Sequence, residues 1–114
     1  MAIGYSARSF ALLKDQSASA NGDWFLAGRL NALSVTIEGL EAGGSVDIRL
    51  SNRPENDPPP AEYLGVPRAG SAFTSDLASS IVGGSATFIW IRAIKTAGGT
   101  PTPTSVYLAG QTVR

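Results

Sequence analysis

Apolar and polar residues alternate with a period of two along several stretches of the chain, as in strands with one buried and one solvated face. The stretches 34–38 and 45–51 alternate most strictly. We predict that their inward-facing residues are Val35, Ile37, Val46, Ile48 and Leu50. The link 41–44 contains two glycines, which is typical of a hairpin turn. The pattern therefore predicts that these two strands pair antiparallel.

A second pair of strands is predicted near the C-terminus. Residues 86–95 are dominated by β-branched and aromatic side chains, and 88–91 is apolar on both faces. A strand of this kind is expected in the middle of a sheet. The alternating run 105–109 follows a link, 96–104, that is rich in Gly, Thr and Pro. This order predicts a second hairpin.

Three further segments have weaker patterns. Shorter strands are predicted at 9–13 and 23–27, with an Asn-Gly turn signal between them. The segment 75–81 is compatible with one helical turn capped by Ser75 or with an extended piece, and the sequence leaves both open.

The series of short strands and the lack of a long amphipathic helix predict an all-β fold, a single-domain antiparallel β-sandwich or jelly roll. Residues 1–22 are expected to form an N-terminal arm or a first edge strand, and 23–114 the sandwich domain. This domain carries a long loop, 52–70, with five of the seven prolines of the chain. Loops of this length are usually functional.

Composition and charge narrow the range of partners. The 114 residues include nine basic and nine acidic side chains, and neither sign forms a run. We therefore expect neither nucleic acid nor a membrane as a partner. Cysteine is absent, so no disulfide framework is predicted. No signal peptide or apolar run of roughly 20 residues is evident, and we expect the chain to be made in the cytoplasm without secretion.

The chain has few residues of the types that usually act in catalysis. Histidine and cysteine are both absent, which removes the commonest general base and the strongest nucleophile. We expect no enzymatic activity, no cofactor and no metal. Two alternatives stay open: a Ca²⁺ site formed by the acids of the proline loop, and a glycosidase-like acid pair. The candidate acids are Asp23, Glu38, Asp47, Glu55, Asp57 and Glu62. Within the loop, Arg53 is expected to neutralise Glu55 or Asp57.

Aromatic residues are the other candidates for binding. Trp90 lies in the apolar strand and is expected to pack in the core. A carbohydrate-stacking platform could be formed by Trp24, Trp90, Tyr63 and Tyr107. Tyr63 follows the prolines of the loop, and Tyr107 occupies the polar phase of its strand, so these two are the better surface candidates: they either mark a contact surface or cover a sheet edge.

One part of the sequence resembles a known group of proteins. The runs ATFIWIRA at 86–93, KTAGGTP at 95–101 and VYLAG at 106–110 resemble the terminal hairpin of small β-sandwich proteins from tailed-bacteriophage virions. The strands within 34–51 match more loosely, whereas the first thirty residues and the proline loop lie outside the resemblance. Such proteins are capsid decoration or cement proteins and tail-associated modules, typically symmetric oligomers without enzymatic activity.

The resemblance implies a virion structural protein, made in the host cytoplasm, that stabilises the capsid shell through protein–protein contacts. The expected partners are further copies of the chain, in a homo-oligomer that we take to be a trimer, and the major capsid protein or another virion protein. The alternative is a carbohydrate- or receptor-binding β-sandwich module of a tail fibre or a secreted enzyme. The interface candidates are Tyr63, Tyr107, Arg53, Pro58, Pro59, Pro60, Tyr5 and Phe10.

Overall fold

Strands make up all the regular structure of the described part of the chain. A computed structural model describes residues 5–28, 30–67, 72–81 and 88–113. None of these residues lies in a helix that is long and apolar enough to span a bilayer. The strands are β1 Tyr5–Gln16, β2 Ala20–Asn21, β3 Phe25–Leu26, β4 Asn31–Glu38, β5 Ser45–Ser51, β6 Val66–Pro67, β7 Leu77–Ile81, β8 Trp90–Thr96 and β9 Thr104–Val113.

The strands form two antiparallel sheets that pack face to face. The first sheet has the order β1-β9-β4-β7. The second has the order β2-β8-β5-β6, and β3 also pairs with β8. Most links carry the chain from one sheet to the other, and this interleaved order is that of a jelly roll. The prediction of an all-β, single-domain sandwich is confirmed, and of the two architectures left open the strand order selects the jelly roll.

The core lies between the sheets and is built from the alternating positions. Val35 and Ile37 of β4, and Val46 and Ile48 of β5, are at most 1% exposed, as the sequence pattern predicts. Leu50, the next inward residue of β5, is half-buried. The buried apolar cluster is completed by Leu12, Leu13, Ala27, Phe88, Ile91, Ala93, Val106 and Leu108.

Both predicted hairpins are wrong. β4 and β5 lie in different sheets, as do β8 and β9, so neither pair is hydrogen-bonded. The link after β4 turns at Gly39 and Gly43, whose φ angles are +76° and +81°, and crosses between the sheets. The Asp76 carboxylate accepts hydrogen bonds from the backbone N–H groups of Gly39 and Leu40 and helps to hold this crossing. Turn glycines and alternating strands occur equally in hairpins and in crossings, so the pattern does not distinguish them.

The remaining strand predictions differ in outcome. β8 lies between β5 on one side and β2 and β3 on the other, which confirms the mid-sheet placement of 86–95, although residues 82–87 lie outside the described ranges. Within the segment 75–81, residues Leu77–Ile81 form the extended strand β7, so the helical-turn alternative is wrong. Its pairing with β4 gives hydrogen-bond partners to backbone N–H and C=O groups that would lack them in a single helical turn. At the N-terminus, β1 is an edge strand that pairs with β9 along most of its length.

Candidate functional site

Two arginines on the outer face of the second sheet bind the backbone of the proline loop. Arg49 and Arg92 lie opposite each other on β5 and β8. Arg49 Nη1 donates to the carbonyl of Gly65 at 3.1 Å. Arg92 Nη1 donates to the carbonyls of Ala61 and Tyr63 at 2.9 and 2.7 Å. The loop therefore covers this face of the sheet, and its backbone is fixed by two guanidinium groups.

Trp90 adds a third contact of the same kind. Its indole Nε1 lies 3.1 Å from the carbonyl oxygen of Arg53 and 3.3 Å from that of Pro54. Trp90 is 7% exposed, so it is buried as expected, but beneath the loop and outside the apolar cluster between the sheets. It is next to Ile91, which faces the core, so its own side chain lies on the outer face beneath the loop. Because prolines have no N–H, a proline-rich loop offers mainly acceptors, and the side chains beneath it are donors.

An aromatic stack is built on Arg92. The guanidinium carbon of Arg92 lies 4.9 Å from the centre of the Trp24 ring. The rings of Trp24 and Tyr63 are stacked, with centroids 6.2 Å apart and an interplanar angle of 21°. Gly65 permits this close approach, since a Cβ there would lie 2.5 Å from Cη2 of Trp24. Burial lowers the pKa of Arg92, but arginine titrates so far above neutral pH that it stays charged.

A groove runs along the loop beside Tyr63. One cavity of about 500 Å³ is lined by Ser51, Asn52, Arg53, Pro60 and Tyr63. A second, of about 370 Å³, shares Ser51, Asn52 and Tyr63 with the first, and the two therefore adjoin. It is completed by Leu50, Val66, Pro67 and Phe88.

The lining and rim of this groove combine a fixed charge with exposed apolar groups. Arg53 forms an ion pair with Asp57 at 2.8 Å, as predicted for one of its two candidate partners. Among the described residues, the exposed large apolar side chains are Tyr63 at 42%, Leu64 at 46% and Val66 at 60%. The groove thus has both polar and apolar walls.

The outer face of the first sheet is a different kind of surface. Two cross-strand rows run over β1, β9 and β4, and all of their members are exposed or half-buried. They consist of Ser9, Ala109 and Ser34 in one row, and Ala11, Tyr107 and Thr36 in the other. These six side chains are uncharged, and five of them are small. At one end, Lys14 Nζ donates to the Tyr107 hydroxyl at 2.8 Å.

The aromatic candidates do not form one site. Tyr107 lies on the outer face of the first sheet, whereas Tyr63 lies over the outer face of the second, so they belong to opposite sides of the sandwich. Phe10 is half-buried and packs against Phe25, with ring centroids 4.6 Å apart. Tyr5 begins β1, where its backbone pairs with Val113.

The prolines and acids proposed from sequence are also dispersed. Pro58 and Pro60 are exposed, but Pro59 is buried. Glu38 ends β4 in the first sheet, whereas Asp47 lies on the outward side of β5 in the second sheet and binds Arg49 at 2.6 Å. Within the described ranges, no group of three or more acids is placed to hold a metal ion.

A buried ion pair, which sequence reasoning missed, closes one end of the sandwich. Lys95 Nζ lies 2.8 Å from Oε1 of Glu41, and the two side chains are 0% and 4% exposed. The same ammonium donates to the carbonyls of Gln16, Ser17 and Thr102, each at 2.9 Å. Lys95 follows Ile91 and Ala93 at inward positions of β8, and this spacing is the signal that could have revealed it.

Glu41 joins two of the links that cross between the sheets. Its Oε2 accepts a hydrogen bond from the N–H of Gly98 at 2.6 Å, and its Oε1 accepts one from the N–H of Thr102 at 3.3 Å. Glu41 belongs to the link after β4, whereas Gly98 and Thr102 belong to the link after β8. The ion pair therefore joins both crossings to the end of β1.

We expect the ion pair of Glu41 with Lys95 to make the free energy of unfolding depend on pH in acidic solution. The hydrogen bond from Lys95, followed by that from Gly98, lowers the pKa of Glu41 from its ordinary 4.5 to about 2. A lowered folded-state pKa gives stabilisation that is complete above the unfolded-state pKa and is lost as pH falls toward the folded-state value. Urea unfolding at a series of pH values should show this loss between pH 4.5 and about 2. The variant Glu41→Gln should lack that component, and an identical pH profile in both proteins would contradict the assignment.

The fold and these surfaces define the chain as a jelly-roll protein with one open neutral face and one face covered by a proline loop. No protein-family model and no curated protein matches the sequence. Among solved structures, the crystal structure of the SPBc2 prophage-derived protein YomS is similar, with a TM-score of 0.47 and 12% identity. The alignment covers 100% of this chain and 98% of that chain. A similarity of this degree identifies neither a family nor a function.

Proposed function

We propose that this protein is a structural component of a bacteriophage particle, a capsid decoration or cement protein that acts through protein–protein contacts. The observation that carries the proposal is the open face of the first sheet, with its two rows of uncharged and mostly small side chains. These six side chains carry no charge, so burying them against another protein avoids a desolvation cost of several kcal/mol per ion. The ammonium of Lys14, which bonds to Tyr107, lies at one end of the rows.

The sequence resemblance supports the same function. The runs that resemble phage virion proteins include nearly all of β8 and half of β9, and the run 106–110 contains Tyr107 and Ala109 of the open face. β8 and β9 are inner strands of the two sheets, not a hairpin. A protein that binds the assembled shell better than its dispersed subunits stabilises the shell by mass action, and repeated copies add their effects.

The proposal can be tested on particles produced by the genome that encodes this chain. Particles made without the gene are incubated with purified protein, pelleted, and assayed for bound copies. Ala109 occupies the middle of one neutral row, so Ala109→Lys should weaken binding by about tenfold or more, because the new charge must be desolvated. Asn56→Lys makes the same change in charge on the exposed proline loop and should bind like the unmodified protein.

Two outcomes would refute this function. The first is that mass spectrometry finds no copies of the protein in purified particles from the intact genome. The second is that Ala109→Lys and Asn56→Lys bind equally well. The proposed trimer is tested separately, by light scattering of the purified protein during gel filtration, and a monomer would contradict that part.

A further inference from the structure

The groove beside Tyr63 has an aromatic wall whose orientation is fixed. The Tyr63 ring stacks on Trp24, which in turn stacks on Arg92, and the Tyr63 carbonyl accepts a hydrogen bond from the same arginine. In spite of these contacts, Tyr63 stays 42% exposed. A ring that is already held in place loses little conformational freedom when it is covered by a ligand.

Planar polar groups line the same cavity. Asn52 is exposed and contributes an amide with both donors and an acceptor. Arg53 contributes a guanidinium that is fixed by Asp57, through Nε on its carbonyl at 3.1 Å and Nη2 on its carboxylate at 2.8 Å. The Ser51 hydroxyl accepts a hydrogen bond from the Arg53 N–H at 3.2 Å. The cavity therefore combines one exposed aromatic ring with several oriented hydrogen-bonding groups.

We infer that this groove binds a pyranose ring of a glycan, with Tyr63 under its apolar face and with Asn52 and Arg53 at its hydroxyl edge. A pyranose has one face of C–H groups and a rim of hydroxyl groups, which matches these two kinds of wall. The volume of about 500 Å³ is in the range of small-ligand sites. The adjoining cavity, with Val66 and Pro67, extends the groove beyond one ring.

This inference goes beyond the proposed docking function and involves a different surface. The docking face belongs to the first sheet, whereas the groove is lined by the end of β5 in the second sheet and by the loop that follows it. A particle-bound copy would therefore keep the groove free for a glycan. Because the two surfaces share no residue, either proposal can fail without the other.

The test is a titration followed by amide NMR of ¹⁵N-labelled protein. The probes are chitotriose, cellotriose, maltotriose and, as a different class of ligand, a proline-rich decapeptide. At least one oligosaccharide should shift the amide resonances of Asn52, Arg53 and Tyr63 with a dissociation constant in the millimolar range. Tyr63→Ala should weaken this binding at least ~10-fold, because it removes the stacking surface, while Tyr63→Phe should retain it.

The matched control is Tyr107→Ala, which removes the tyrosine of the opposite face and should bind like the unmodified protein. Tyr63→Ala keeps the backbone carbonyl that Arg92 binds, and its near-ultraviolet circular dichroism shows whether the loop is still folded. If it is not, Asn52→Ala leaves the stack intact and should weaken binding about 5-fold, as expected for a lost hydrogen bond. The inference is overturned if no oligosaccharide shifts these resonances, if only the peptide does, or if the variant that is still folded binds like the unmodified protein.

Discussion

Replacing Arg92 by leucine is expected to lower the free energy of unfolding by about 3 kcal/mol. The side chain is 2% exposed and donates to three backbone carbonyls. Leucine fills part of the space but leaves the carbonyls of Gly22, Ala61 and Tyr63 without their donor. It also removes the charge that lies against Trp24. The loop should then separate from the sheet and become accessible to proteases.

Urea unfolding monitored by tryptophan fluorescence measures the loss, and limited proteolysis locates it. The matched control is Arg8→Leu, the same substitution at an exposed position of β1, which should change stability by no more than about 0.5 kcal/mol. Cleavage of Arg92→Leu within residues 52–65 would support the role of Arg92 in holding the loop. Equal stability of the two variants would show that the loop does not depend on this arginine.

Replacing Lys95 by methionine should have a still larger effect, a loss of about 3–5 kcal/mol. Methionine fills most of the volume but leaves the Glu41 carboxylate buried without its cation. It also leaves the carbonyls of Gln16, Ser17 and Thr102 without a donor. The links after β4 and after β8 both depend on this one ammonium and its carboxylate partner, so the whole domain should become less stable.

A second substitution distinguishes the effect of the unpaired Glu41 carboxylate from the effect of the lost hydrogen bonds. In the double variant Glu41→Gln with Lys95→Met, the buried position carries a neutral amide, and part of the lost stability should return. The difference between the single and double variants in urea unfolding measures the cost of the uncompensated carboxylate. If the double variant is no more stable than Lys95→Met alone, the effect arises only from the lost carbonyl contacts.

The sequence predicts which side chains face inward but not which strands are neighbours. Val35, Ile37, Val46 and Ile48 are inward because alternation depends only on local backbone geometry. The partner of each strand depends on whether a link such as 39–44 folds back or crosses. That choice is made by long-range contacts, among them those of Asp76, that no local pattern contains.

The same limit applies to the candidate sites. The ion pair of Arg53 with Asp57 was predictable because the two residues are four apart. Tyr63 was identified as a surface aromatic, but its stack on Trp24 was not, because the two residues are far apart in the sequence. Arg92 occupies an outward position, where a charged residue of a strand is usual, and only the inward spacing of Lys95 with Ile91 and Ala93 indicates that Lys95 is buried. Both side chains bind backbone carbonyl groups of distant segments. Every residue type has such a carbonyl, so the sequence does not indicate which ones these side chains bind.

The way in which the proline loop is held has a consequence for engineering. Arg49, Trp90 and Arg92 all bind main-chain oxygens, so their contacts do not depend on which side chains the loop carries. Exposed side chains of the loop can therefore be randomised in a library of variants while the fold is retained. The exposed positions open to such diversification are Asn56, Pro58, Ala61 and Glu62.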